Sequence, residues 1–553
     1  MADIIMLTLT LDPTDDRANP AFKDVAGCKQ WLGQFQLTNL QLAHGVLRTQ
    51  LDELNRYPMR GVERLHILEQ LRETVEHIQA DYARKLIAKK LPLNEDEFTA
   101  FVAIIGLWQH MANGYQRCLQ ALLAGDKQLM PHTALLCQRC LLYGGLQIFE
   151  YLRTGYEFNN ALWQQLHALY KFSEQGGFQT QKVVAEPSDE IHTASCHTIY
   201  AKTLLACHAR PAELTRSQLK LLDRCLMQWS AAVTVARDYN RSKGDAPPLV
   251  VDLSSVQGLQ PLTPSSALQQ KSDQNDSNVR YLAMLPLSKT LRVKTVLLQQ
   301  GQTPQQLDLG EECSSADCVA FLEFLHRCWC EGVGDRLAER HHTARQSQVC
   351  YGLEAIYAHI TNKPFKATGK SSGVDELARK QIATFGRVLS ETDHHSLNEL
   401  GYPLEVWQIE NESILGAHLL REEIAGVRIC PNQIVAVRRA DADGFMLGAI
   451  SWVHVTQTGQ LSAGVRYLPG MVQAISINAT GVNLSASDKS VAALLLPAMP
   501  ALKTPASLVI PRDWLRPERV LEIVQADKQT LTAKLGFSVE KGQDYERVSF
   551  SLT

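Results

Sequence analysis

The chain has 553 residues, a formal net charge of −3 and 13 cysteines, with 45% hydrophobic and 20% charged residues. That length exceeds a single hydrophobic core and predicts several domains of ordinary globular composition. The near-neutral charge excludes a general nucleic-acid binder, which carries a basic excess or stripe.

The cysteines follow no disulfide or zinc spacing, so reduced thiols and a cytoplasmic location are expected. Met1 to Met6 lacks the basic flank and cleavage site of a signal peptide, so none is expected. No apolar run reaches the ~20 residues of a spanning helix, so no membrane insertion is expected. Any association with the cell envelope would be peripheral, through a partner.

In chain order, residues 4–12 read as a short strand, and from Phe22 the period becomes helical. Trp31, Leu32, Phe35, Leu37, Leu40 and Leu42, then Leu47, Leu51 and Leu54, form one stripe. Arg60–Ala88 carries a second, through Leu65, Leu68, Leu71 and Val75. Leu91-Pro-Leu-Asn-Glu-Asp-Glu97 predicts a stop and a new amino-terminal cap, with a long helix over Glu97–Ala124. Further helices are predicted at Thr133–Thr154, Asn159–Gln175, Asp189–Cys207 and Thr215–Asp238, spaced like helix hairpins.

After the break at Arg241–Pro248, residues 249–253 read as a buried strand and Gln257–Asn278 as a polar loop. Tyr281–Gln299 and Cys318–Cys330 read as helices, Ser347–Thr361 as a strand. Strands are predicted at Gln433–Arg438, Phe445–Val453 and Ser462–Tyr467. The C-terminal runs Ala492–Leu496, Ser507–Ile510, Val520–Gln525, Thr530–Gly536 and Glu546–Leu552 are punctuated by prolines and predict a further small β-unit.

Two patterns carry chemistry. Arg336 and Arg340 stand four apart ahead of the first strand of the second half, and Asn411-Glu-Ser413-Ile-Leu-Gly416 follows later. On a helix the arginines, and likewise Asp335 and Glu339, would stack like charges at i, i+4, so an irregular segment around an anion suits them better. A guanidinium pairs bidentately with phosphate or with the O6/N7 edge of guanine. Asn411 offers donor and acceptor to a base edge, Ser413 a hydroxyl to phosphate, and Gly416 a positive φ and close backbone approach.

Together with Leu447-Gly-Ala-Ile-Ser-Trp452 and Ala463-Gly-Val-Arg-Tyr467, these motifs resemble the signature of PilZ domains, small β-barrels that bind the bacterial second messenger cyclic-di-GMP. The resemblance implies a nucleotide site of Arg336, Arg340, Asn411, Ser413 and Gly416, with Arg345 and Arg466 as second-rank phosphate ligands. Tyr402, Trp407 and Trp452 are candidates to stack on a guanine, against the plainer role of barrel core. The chain departs from the family in the long insertion between Arg340 and Asn411, where a helix at Asp375–Leu389 and a polar loop at Asp393–Glu399 are predicted. Some larger bacterial proteins that place a helical region before PilZ are linked to type IV pili or surface behaviour.

Other signals carry less. Gly369-Lys-Ser-Ser372 imitates the end of a phosphate-binding loop but has Pro364 where the opening glycine belongs. Cys137 and Cys140, and Cys328 and Cys330, read as buried thiols, not zinc ligands. The pair His341–His342 adjoins the anion pocket and His394–His395 reads as loop surface. No catalytic signature is present, including those for making or cleaving the dinucleotide.

The expected fold is therefore α+β multidomain. It comprises an α-helical domain at 1–125, helical hairpins at 126–245, a mixed connecting region at 246–335, a PilZ-like barrel at 336–470 with a helical insertion at 362–400, and a small β-unit at 471–553. The expected function is a non-catalytic cyclic-di-GMP receptor, needing no cofactor, that couples the nucleotide to a protein partner through its helices. The alternative is a helical interaction scaffold whose barrel has lost its ligand.

Overall fold

The computed structural model describes residues 7, 9, 11–86, 90–183, 193–239, 248–262, 278–311, 314–331, 340–365, 396–423, 425–480, 490–516, 518–525 and 529–553. Two compact units result, Met1–Lys89 with Leu93–Asp335, and Lys90–Pro92 with Arg336–Thr553. Arg336, the helix expected at Asp375–Leu389, Gly369–Ser372 and His394–His395 lie outside the described residues, as does most of the strand expected at 4–12.

The first unit is helical: α1 Val25–Gln34, α2 Leu40–Arg56, α3 Gly61–Tyr82, α4 Glu95–Leu123, α5 Thr133–Thr154, α6 Ala161–Gln175, α7 Cys196–His208, α8 Arg216–Ala231, α9 Leu285–Gln299 and α10 Ser315–Cys330. Asn94 and Glu97 close a reciprocal capping box at the start of α4, satisfying two otherwise orphaned donors. Gly155, at φ 78°, ends α5. The predicted stripes of α2 and α3 are buried through Leu47, Leu51, Leu54, Leu65, Leu68, Leu71 and Val75. Leu37 and Leu42 are not, at 41% and 65% exposed, because the first stripe is broken between α1 and α2. The stretches 1–125, 126–245 and 246–335 share one hydrophobic core.

Two predicted helices are shorter than expected. α8 stops at Ala231, and Val233–Val235 is β-branched, so Thr234–Ala236 becomes strand β1. Val279–Ala283 is likewise strand β4, and the helix begins only at Leu285, with Pro286 in its first turn. With β2 Leu249–Asp252 and β3 Gln260–Pro261 they form a sheet in the order β1-β4-β2-β3. The sheet is pinned by Arg280, whose Nε and Nη2 donate to Glu174 at 3.0 and 2.6 Å, with both side chains buried. Eleven described cysteines are free, Cys137 and Cys140 among them in the core, but Cys318 is disulfide-bonded, against the expectation of reduced thiols.

The second unit holds two closed antiparallel barrels. The first comprises β5 His341–Tyr351, β6 Glu405–Ser413, β7 Gly416–Arg421, β8 Ile434–Arg439, β9 Met446–Val455 and β10 Leu461–Tyr467, in the order β10-β7-β6-β5-β8-β9. The second comprises β11 Gln473–Ala479, β12 Val491–Leu496, β13 Ser507–Pro511, β14 Val520–Val524, β15 Thr530–Lys541 and β16 Tyr545–Leu552, in the order β11-β12-β13-β16-β15-β14. The strand expected over Ser347–Thr361 ends at Tyr351. Gly352, at φ 80°, turns the chain into helix α11, Leu353–Thr361, whose Leu353, Ile356, Tyr357 and Ile360 keep helical spacing. That face joins a core shared by both barrels, with Ile434, Leu447, Leu494, Leu496, Val509 and Tyr545. From the described end of the insertion, Leu397, Leu400 and Tyr402 pack with Ala355 and Ala358 of α11.

Candidate functional site

The Asn-x-Ser-x-x-Gly motif is a hairpin. β6 and β7 pair through Asn411↔His418, Glu412↔Ala417 and Ser413↔Gly416, leaving a two-residue turn of Ile414 and Leu415. The Ser413 hydroxyl accepts from Leu415 N–H at 3.3 Å and donates to Gly416 O at 3.4 Å. A Cβ on Gly416 would lie 3.2 Å from Val465 C and 3.3 Å from Arg466 Cα, and closer still to Val465 O. The glycine is therefore required by the approach of β10. Its φ is not in the left-handed region, which corrects the expected positive φ.

Alternation then decides which side chains share the outer face. Glu412 points inward, accepting from Tyr467 Oη at 2.8 Å and pairing with Arg439 at 3.6 Å. Asn411, Ser413, His418, Ser462 and Trp452 line the outside, and Arg340 joins them just before β5. Arg340 Nη1 donates to Asn411 Oδ1 at 3.0 Å. Asn411 Nδ2 lies 3.4 Å from His418 Nδ1, and His418 Nε2 lies 2.8 Å from Ser462 Oγ.

Gly464 pairs with His418 on one side and Trp452 on the other. Having no side chain, it lets the Trp452 indole lie across β10 towards His418, the rings 5.2 Å apart, while His454 stacks on the same indole at 5.3 Å. The result is a half-buried aromatic strip beside an arginine–asparagine pair. Burial lowers the His418 pKa; the Glu410 carboxylate opposes this, and His454 and Arg340 reinforce it.

Of the sequence-predicted residues, Arg340, Asn411, Ser413 and Gly416 are brought together. Arg345 instead pairs with Asp441 at 2.8 Å, and Arg466, directly opposite Gly416, reaches Glu540 of the second barrel at 2.5 Å. Trp407 is 1% exposed beneath the Arg421 guanidinium and Tyr402 is buried, so both are core. Trp452 alone of the three aromatics stays on the face. Sequence reasoning missed His418, Ser462 and His454. The available signal was His418 as a polar residue between Ala417 and Leu419, two positions from Gly416 and so on its face.

Two family models match the chain: "Cyclic-di-GMP receptor FimW, N-terminal domain" over residues 26–238 and "FimW C-terminal beta-barrel domain" over residues 481–553. The chain thus matches both the N-terminal and the C-terminal FimW domain models. Among curated proteins it is similar to the cyclic-di-GMP receptor FimW of Pseudomonas aeruginosa, with 22% identity over 547 residues, covering 90% of this chain and 86% of the relative. The barrel of β5–β10 falls between the two matched stretches.

Proposed function

We propose that the protein is a cyclic-di-GMP receptor without catalytic activity, and that its nucleotide site is the outer face of the PilZ-like barrel β5–β10. The observation that carries this reading is the 3.0 Å hydrogen bond from Arg340 to Asn411, 71 residues away, on the face that also holds Ser413 and Trp452. A cyclic dinucleotide presents phosphates, guanine edges and base faces. Arg340, and Arg336 on the same segment, would clamp phosphate and the O6/N7 edge. Asn411 and Ser413 would complete the polar contacts, and Trp452 would take a base face. Charge-assisted bonds of about 1.5–3 kcal/mol each supply much of the about 8 kcal/mol that micromolar binding represents. The relative's name supports the same ligand.

The receptor would act in the cytoplasm, its helical unit presenting a surface to a protein partner, in motility or surface attachment. No helix among the described residues is long and apolar enough to cross a membrane. A second reading, an interaction scaffold with a barrel that no longer binds nucleotide, draws on the engagement of Arg345 by Asp441 and of Arg466 by Glu540. Titration calorimetry of the full chain with cyclic-di-GMP separates them. The receptor reading predicts saturable heat at micromolar ligand, with GMP a poor substitute; no heat well above that range leaves the scaffold.

A further inference from the structure

We infer that His418 is the positioning residue of this site: as a neutral imidazole protonated on Nε2 it holds the Asn411 amide with its oxygen towards Arg340, and a proton on Nδ1 releases that arginine. The inference rests on the receptor reading above and adds to it a residue and a pH dependence.

The direction of every bond in the chain Arg340–Asn411–His418–Ser462 follows from its first member. A guanidinium only donates, so the atom of Asn411 at 3.0 Å from Nη1 is its oxygen. The amide nitrogen then faces the ring at 3.4 Å, and because it too only donates, His418 Nδ1 must accept. The remaining hydrogen of the neutral ring is on Nε2, which donates at 2.8 Å to the Oγ of Ser462, a buried residue on the same face. The ring has no rotational freedom to spare, since Trp452 covers one side at 5.2 Å.

Protonation adds a hydrogen at Nδ1, and the contact to Asn411 becomes donor against donor. Turning the amide by half a rotation relieves it there but sets Nδ2 against Arg340 Nη1. One amide oxygen cannot serve both cations in this arrangement, so Arg340 is set free. The titratable and charged groups around the ring are Arg340 ahead of β5, His342 on β5 opposite Asn411, Glu410 on β6 and His454 on β9 opposite Ser462. Glu410 favours the imidazolium; Arg340 and His454, with burial, oppose it, so release comes below the ordinary histidine value of about 6.5.

The test uses the full-length chain in two arms. Histidine-selective ¹⁵N spectra at about pH 8, where the ring is neutral, identify the His418 tautomer without ligand, with His418→Gln supplying the assignment. The Nε2–H form is expected, and the Nδ1–H form overturns the inference. Calorimetric titration of cyclic-di-GMP at about pH 8 and about pH 5, either side of the ordinary histidine value of about 6.5, is expected to show at least about threefold weaker binding at the lower pH for the parent. His418→Gln, whose amide can accept from Asn411 and donate to Ser462 but cannot titrate, is expected to lose most of that pH dependence. Binding by the parent that is equal at both pH values, or a pH dependence retained in full by His418→Gln, overturns the inference and leaves the receptor reading intact. Absence of binding at about pH 8 overturns both.

Discussion

Replacing Gly464 by alanine isolates the contribution of the aromatic strip. A Cβ there would lie 2.8 Å from Trp452 Cδ1, with Nε1 and Cε2 nearer still, so the indole must swing off β10 and lose its contact with His418. The cost to folding is small: an aromatic pair is worth about 0.5–1.5 kcal/mol, and alanine at a position without positive φ returns about 0.4–1 kcal/mol by restricting the unfolded chain. Net stability should therefore move by less than about 1 kcal/mol. Binding should move more, since a stacked base contributes about 1–3 kcal/mol, which is about a 5- to 150-fold weakening. Denaturant unfolding and calorimetric titration with cyclic-di-GMP are the assays, run on G464A, W452A and the double variant. If the strip is the stacking platform, G464A and W452A each weaken binding and the double variant is no worse than W452A. Parent-like affinity in G464A would refute the reasoning.

Arg280→Ala leaves the buried Glu174 carboxylate with the Tyr170 hydroxyl and a 3.9 Å contact to Arg237, and should destabilise the helical unit by up to about 3–5 kcal/mol, read as a fall in its calorimetric unfolding midpoint. Adding Glu174→Gln, which removes the under-compensated charge, should recover part of that loss. Asp544 accepts from Ile434 N–H at 2.9 Å, linking the turn before β16 to β8, and burial pushes its pKa up to about 6. Because the folded state holds this proton more tightly than the unfolded chain, the penalty is present above about pH 6 and fades as pH falls towards about 4. Asp544→Asn keeps the acceptor and removes the ionisation, so it should stabilise the barrel unit at about pH 7.5 by up to about 3 kcal/mol, with no gain near about pH 4. Thermal midpoints of parent and variant across that range check the sign.

Much of this architecture is legible in local chemistry. α5 is bounded by Pro131 and Gly155, and its predicted limits, Thr133–Thr154, are those observed. The strands β12 to β16 could be read because prolines and turn residues separate β-branched and apolar runs. Short apolar stretches were ambiguous: Leu353–Thr361 fits either period over so few residues, and only the left-handed Gly352 and the shared core make it a helix. The same limit applies to Val279–Ala283, which became a strand because β1 and β2 lie on either side of it.

At the site, the hairpin is a matter of spacing and was legible. The direction of each side chain was not. Arg466 is drawn off by Glu540, 74 residues later, and the His418–Ser462 bond exists because barrel closure sets β10 beside β7. Neither partner can be inferred from motif spacing. Gly416 shows the same distinction: its presence is predictable, but its reason is the neighbouring strand and not the turn.

Titrating cyclic-di-GMP into Arg340→Ala beside the parent tests the central claim most directly, because this side chain is exposed and its removal leaves the barrel core untouched. The account predicts saturable micromolar binding for the parent and at least tenfold weaker binding for R340A, with an unchanged unfolding midpoint. Equal affinity in the two proteins would contradict it and place the nucleotide elsewhere on the molecule.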